Sequence, residues 1–344
     1  MAQKKTDNAL NILTAVSFYR PSLKRGDNGY TEMNISWAAE NLQGKENVET
    51  IVAKLKKDNI KAQKDSYYTI SIDEFETKKK QIADTLNKMY EQIGGFGVTA
   101  IGDDDFPKIP PTVKTKDRPV VLFYKGNLNL LNSEDKKVAV IGVLNPTEKV
   151  EIFEKQVVDE LIRQKAIVIS GLAQGCDAIA HSETVERGGK TIAILPSPLN
   201  DILPKKNLNL ANEIVQYGGL LITEYYNPPV HKYDLSSRYI NRDRLQAMFS
   251  GCVLLSASYD ENNQGNDSGS RHALKKAKEY GIKRAVLYNK ETDENDSMFD
   301  LTRRIIAEDG KEAFILSQND YVSKIQILIK SINNLTVTEL SLGF

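Results

Sequence analysis

The sequence predicts an α/β fold: a doubly wound, mostly parallel Rossmann-like sheet with a helical N-terminal domain. Three observations carry this expectation. After residue 119, short apolar runs alternate with amphipathic stretches. The runs are near-continuous in apolar residues, as strands buried on both faces must be. Several of them end in small or glycine-rich loops that open a helix, the arrangement that α/β proteins use for anions.

The strands so implied are 120–124, 138–141, 166–170, 191–195, 220–223, 252–256, 285–288 and 313–316. Between them lie helices at 148–164, 176–187, 208–217, 239–249, 270–281, 298–308 and 319–332. Segment 148–164 shows the logic. Val150, Phe153, Val157, Val158 and Leu161 recur at helical spacing, so one face is apolar.

Residues 1–95 read as helical. Short helices are expected at 35–42 and 48–57, after a loop marked by Gly26, Asn28 and Gly29. The clearest helix is 72–93. Ser71 and Glu74 have capping-box spacing. Ile82, Leu86, Met89, Tyr90 and Ile93 form a stripe, and Gly94 and Gly95 stop it. Pro107, Pro110, Pro111 and Pro119 then suit an extended connector. The expected organisation is a helical region at 1–95 and a strand with a proline-rich connector at 96–118. A Rossmann-like domain at 119–335 and a tail at 336–344 complete it.

Composition excludes several classes. Lys plus Arg is 46 and Asp plus Glu is 46. That balance argues against binding driven by bulk positive charge and leaves room for a local basic groove. No apolar stretch is long enough to span a membrane. The N-terminus lacks the apolar run and cleavage site of a secretory signal. Cys176 and Cys252 make neither a disulfide framework nor a zinc spacing, so a cytoplasmic location is expected. Three histidines leave little for a metal site, and none is expected.

Ligands of such sheets bind at the carboxyl ends of the strands. Three loops fall there. In the first, Gly142 allows a sharp turn and Thr147 stands at the N-cap of the next helix. The second runs from Ser170 and Gly171 through Gln174 and Gly175 to Cys176 and Asp177. It is not the dinucleotide pattern GxGxxG, and no ribose-reading acid follows. The third is Asp267-Ser268-Gly269-Ser270-Arg271, with Ser270 opening a helix. Each is compatible with an ordinary tight turn; together they favour an anion. Arg238, Arg242 and Arg244 suit bidentate phosphate contact, with an ion pair to Asp243 as the competing role. For His181 and Glu224 a structural role is the stronger reading, and Cys176 reads as a small turn residue. No Ser or Cys pairs recognisably with His181, so no catalytic triad is indicated. The basic run RHALKKAKEYGIKR (271–284) reads first as a solvated helix face, Lys276 and Lys283 included.

The order of these segments resembles the DprA/Smf family of DNA-processing proteins from Gly97 to about Ile329. Gly97-Val98 through Asp105-Phe106-Pro107, then 119–127 (PVVLFYKGN), are similar to the family's lead-in. SGLAQGCDAIAH (170–181) is close to its SGLARGIDAAAH. GGKTIAILPSPLNDILPKKN (188–207), GGLLITEY (218–225), INRDRLQAMFS (240–250) and the SGS at 268–270 follow in family order. The resemblance implies an extended Rossmann fold that binds single-stranded DNA. It also implies protection of single strands in DNA uptake, help in loading a RecA-type recombinase, homodimerisation, no cofactor and no enzymatic activity. By position it points to Gly142, Ser170, Gly171, Gln174, Gly175, Lys190, Arg242, Arg244, Ser268, Gly269 and Ser270 as the phosphate-binding set.

Two departures matter. Leu144 and Gln174 stand where the family usually has arginines. Each lost phosphate contact lowers the salt slope by about one unit. The alternative is therefore a nucleotide-binding sensor or nucleotide-processing protein of the same superfamily, with a role in phage defence or a mobile element. Against nucleotide cleavage, 266–274 (NDSGSRHAL) lacks the PGGxGTxxE motif of the cytokinin-activating enzymes.

Overall fold

The computed structural model describes residues 5–19, 32–63, 70–261 and 269–332. The described part opens with the helices α1 (Asp7–Phe18), α2 (Glu32–Asn41), α3 (Val48–Gln63) and α4 (Ile72–Ile93). It continues through β1 (Gly97–Ala100), β2 (Val121–Gly126), α5 (Asn129–Asn132), β3 (Lys137–Ile141), α6 (Glu148–Arg163), β4 (Ile167–Ser170) and α7 (Cys176–Glu186). Next come β5 (Thr191–Ile194), α8 (Leu208–Gln216), β6 (Leu220–Thr223), α9 (Lys232–Met248), β7 (Cys252–Leu255) and α10 (Ser270–Tyr280). The described part closes with β8 (Lys283–Leu287), α11 (Lys290–Asp293), α12 (Asp300–Asp309), β9 (Phe314–Leu316) and α13 (Tyr321–Ser331).

Among the described residues nine strands form one sheet, in the order β1-β2-β6-β5-β4-β3-β7-β8-β9. Strands β3 to β9 are parallel, while β2 runs antiparallel to both β1 and β6. Successive strands from β3 to β6 step one way; β7, β8 and β9 step the other. The switch point lies between β3 and β7, where such folds open a crevice.

Both faces are covered, which explains the apolar runs. Val138 and Val140 face α6 and α13 through Phe153, Val157, Leu161, Ile325 and Leu328. Ala139 and Ile141 face the other side, against Leu245 and Met248 of α9 and Leu274 and Ala277 of α10. The helical region is not sealed off from the sheet. Leu13, Leu55, Phe75 and Leu86 share a core with Val121, Phe123, Leu195 and Leu221.

Helix α4 has the predicted ends: a reciprocal Ser71–Glu74 capping box and Gly94 in the left-handed region. Helix α1 carries no clear sequence signal. Ala9, Asn11, Ile12, Leu13, Thr14, Ala15 and Val16 are all buried, so it has no single apolar stripe to detect. Helix α9 starts at Lys232 rather than 239. His231 caps it, its Nδ1 accepting the Asp234 N–H at 3.0 Å. The loop at Gly26, Asn28 and Gly29, the Asp267–Ser268 pair and the 336–344 tail lie outside the described residues.

Candidate functional site

Three loops meet at the switch point. The first follows β3. A Cβ on Gly142 would stand 2.5 Å from Cys176 Sγ and 3.1 Å from the Ala257 carbonyl oxygen, so only glycine fits between α7 and the β7 exit. The second follows β4. Leu172 there adopts φ +58°, a strained value for a branched side chain. Asn207 holds that turn, its Nδ2 donating to the carbonyls of Leu172 (2.9 Å) and Ala173 (3.1 Å). Gly175 has φ +73°, and a Cβ there would strike the Val143 carbonyl at 2.3 Å. The Cys176 N–H donates to that same carbonyl at 3.1 Å, joining the second loop to the first. The third loop enters α10 at Gly269, with φ +75°. Ser270 Oγ donates to the Gly142 carbonyl at 3.3 Å. All three are thus locked to one another.

They enclose a pocket of about 640 Å³. Gly142, Leu144 and Asn145 line it from the first loop, Ala173 and Gln174 from the second, and Gly269, Ser270 and Arg271 from the third. Helix α9 closes one wall with Ser236, Tyr239, Ile240, Arg242 and Asp243, residues three and four apart on one face.

Arg242 is the central charge. It is 6% exposed. Its Nη2 lies 3.5 Å from Asp177 Oδ2, and its Nε 3.4 Å from Asp243 Oδ1 without hydrogen-bond alignment. Among the described residues its Nε and Nη1 have no hydrogen-bond partner. A buried guanidinium with two nitrogens outside any hydrogen bond favours an anionic acceptor. Gly171 makes room for it: a Cβ there would lie 1.3 Å from Arg242 Nη1. Asp177 organises the loop rather than the ligand. Its Oδ2 accepts the N–H groups of Gly171 (3.1 Å) and Ala173 (3.3 Å) at the start of α7. Burial, reinforced by Asp177 and opposed by Arg242, pushes the Asp243 carboxyl up to about 7.

The other residues singled out from sequence sit elsewhere. Ser170 is fully buried and its Oγ donates to the Val140 carbonyl at 2.7 Å, a link between β3 and β4. Lys190 precedes β5, at the amino end of a parallel strand and hence across the sheet from the pocket. Its Nζ donates to the Tyr217 carbonyl at 2.7 Å. Arg244 is engaged at every nitrogen. Nη1 and Nη2 donate to Glu224 at 2.7 and 2.6 Å, Nη1 also to the Asn241 carbonyl, and Nε to the Asp117 carbonyl at 2.9 Å. Arg238 packs over the Tyr225 ring at 4.2 Å and pairs with Asp234. Ser268 lies outside the described residues.

His181 is fully buried with its Nδ1 on Thr191 Oγ1 at 2.7 Å. Burial, aided by the nearby Arg242 charge, pulls its pKa down to about 3, so the ring is neutral at physiological pH. Burial pushes the Cys176 thiol up, opposite to what a reactive cysteine at a helix N-terminus needs. Sequence reading overlooked Tyr239 and Ile240 as wall residues and saw Asp243 only as an ion-pair partner. Their spacing on α9 was the available signal.

The fold and pocket define a class: a Rossmann-type protein with an arginine-bearing pocket at the switch point of its sheet. The family profile described as DNA recombination-mediator protein A matches residues 97–325, and the chain belongs to that family. The DNA processing protein DprA of Bacillus subtilis (strain 168) is 35% identical over 120 residues, 34% of this chain and 38% of that protein. The DprA of Streptococcus pneumoniae is 34% identical over 140 residues, 41% of this chain and 46% of that protein. The chain thus matches less than half the length of either relative. The X-ray structure of S. pneumoniae DprA superposes with a TM-score of 0.64 at 24% identity, covering 93% of this chain and 98% of that one. A Helicobacter pylori DprA structure, titled for its single-stranded DNA binding mode, gives 0.54 at 25% identity, over 69% of this chain and 97% of that one.

Proposed function

We propose that this protein binds single-stranded DNA through the switch-point pocket and acts in DNA recombination. The observation that carries the reading is Arg242, buried where the three loops meet, with two donor nitrogens that make no hydrogen bond among the described residues. Backbone N–H groups at the starts of α7 and α10 add positive potential at the same mouth. The H. pylori relative, by its title, binds single-stranded DNA. The reading is of binding without bond cleavage. Homodimerisation, a cytoplasmic location and handover to a RecA-type recombinase belong to the same proposal and rest on family membership. Within the set named from sequence, the pocket residues Gly142, Gln174, Gly269, Ser270 and Arg242 carry the contact, with Gly171 and Gly175 shaping it. Lys190 and Arg244 do not touch the strand.

A free nucleotide is the second reading, favoured by one feature. Leu144, 48% exposed at the pocket, presents an apolar side chain where the family's arginine stands. Fluorescence anisotropy with a labelled oligothymidylate decides between them. Single-stranded DNA as ligand predicts saturable binding at low salt that weakens about tenfold or more in Arg242→Gln. No binding of the oligonucleotide, together with a thermal shift by a mononucleotide, would overturn it.

A further inference from the structure

Much of the wall of the switch-point pocket is apolar, which phosphate contact alone does not need. Ile141, Leu144, Ala173, Pro204, Tyr239 and Ile240 all line it. Leu144 and Ile240 are partly exposed, at 48% and 46%, whereas Ile141 at the end of β3 is 3% exposed. Apolar side chains offer a phosphate no hydrogen bond, but they suit the face of a flat ring.

Helix α9 runs along this wall from the rim inward. Tyr239, Arg242, Asp243 and Gln246 all line the pocket, each three or four residues from the next turn's member, so they share one face. Exposure falls along it: Tyr239 is half-buried, Arg242 is 6% exposed and Gln246 1%. Gln246 stands one turn beyond Arg242, about 6 Å along the axis. Its Nε2 makes no hydrogen bond among the described residues. A carboxamide so deeply buried costs free energy unless a partner accepts from it. A structural link from α9 to a neighbouring element would use that donor, and none does among the described residues.

Arg242 and Gln246 thus hold donors at two depths of one pocket. A nucleotide matches that pattern. Its phosphate accepts from a guanidinium, its base has apolar faces, and the base edge carries carbonyl oxygens and ring nitrogens that accept hydrogen bonds. We propose that the pocket takes one unstacked base of the strand together with its phosphate. Arg242 holds the phosphate, Tyr239 packs against the base, and Gln246 Nε2 donates to the base edge. Gln246 is then the residue that reads the base. The proposal rests on the DNA-binding reading above and extends it from the backbone of the strand to one of its bases.

Anisotropy on the full chain with two labelled oligomers of about 8 nucleotides tests it: an oligothymidylate, and the same sugar–phosphate chain without bases. The unmodified protein should bind the thymidylate about tenfold or more tightly than the abasic chain. Gln246→Leu, similar in size but without the donor, should weaken thymidylate binding about fivefold and leave abasic binding within about twofold. Its thermal midpoint should not fall, because the change removes a buried donor that has no partner. Equal affinity of the unmodified protein for both oligomers would overturn the base subsite and leave the phosphate contact standing. A Gln246→Leu variant that weakens both oligomers alike, that weakens neither, or that has a lowered midpoint would also overturn it. Failure of the unmodified protein to bind either oligomer overturns the DNA-binding reading itself.

Discussion

Arg242 and Arg244 stand two residues apart on α9 and do opposite work. Residues at that spacing point to opposite faces of a helix. Arg244 faces inward, where Glu224 and two carbonyls use every nitrogen. Arg242 faces the pocket, with Nε and Nη1 making no hydrogen bond among the described residues although the residue is as buried as its neighbour. Burial alone therefore does not separate a structural arginine from a binding one. The hydrogen-bond inventory does: a filled guanidinium holds the fold, and an incompletely filled one is poised for a ligand.

Arg244→Ala attacks the structural side and should have the largest effect. It removes the guanidinium that neutralises the buried Glu224 carboxylate, costing about 3–5 kcal/mol of stability. Urea denaturation reads the loss, and a change below about 1 kcal/mol would remove the contrast between the two arginines. Gly171→Ala attacks the other side. The new methyl occupies the position of Arg242 Nη1. We expect about a tenfold loss of oligonucleotide affinity, with a stability cost of about 1–3 kcal/mol as the guanidinium shifts. Wild-type affinity in that variant would show that the placement of Arg242 is immaterial.

The pH dependence sharpens the comparison further. Asp243 lies beside Arg242 and its pKa is raised to about 7. Above that value its carboxylate competes with an incoming phosphate; below it, the proton frees Arg242. Affinity should fall about fivefold as pH rises from about 6 to about 8. Asp243→Asn should flatten the profile. The same raised pKa lowers stability as pH rises through about 7, because the buried carboxyl must ionise. The smallest effect should come from charge restored at the rim. Leu144→Arg and Gln174→Arg, singly, should each raise affinity about threefold and steepen the salt slope by about 0.7 unit. Titrations across a salt series check this, and no change in slope would place the strand away from both loops.

Much of the fold was legible because both of its periodicities were strong. The apolar runs from 120 onward became β2 to β9, since Val138 and Val140 on one face and Ala139 and Ile141 on the other all need cover. Helix α1 was not legible, because its burial is nearly all-round. For the site, glycines were the readable part. Gly142, Gly171 and Gly175 each exclude a Cβ for a stated steric reason. Charge was the unreadable part. The motif 240–250 offers Arg242 and Arg244 as equivalents, and only the three-dimensional placement of Glu224 separates them. Lys190 could not be placed until the strand direction set it at the amino end of β5. The overall charge balance of 46 against 46 says nothing of this, since the pocket depends on where a few charges stand.

Amide hydrogen exchange with and without a saturating oligothymidylate tests the central claim most directly. The account predicts slowed exchange in 142–145, in 171–177 and at the start of α10, with none around 188–191. Protection centred on Lys190 and the amino ends of the strands, with the three loops unchanged, would contradict it.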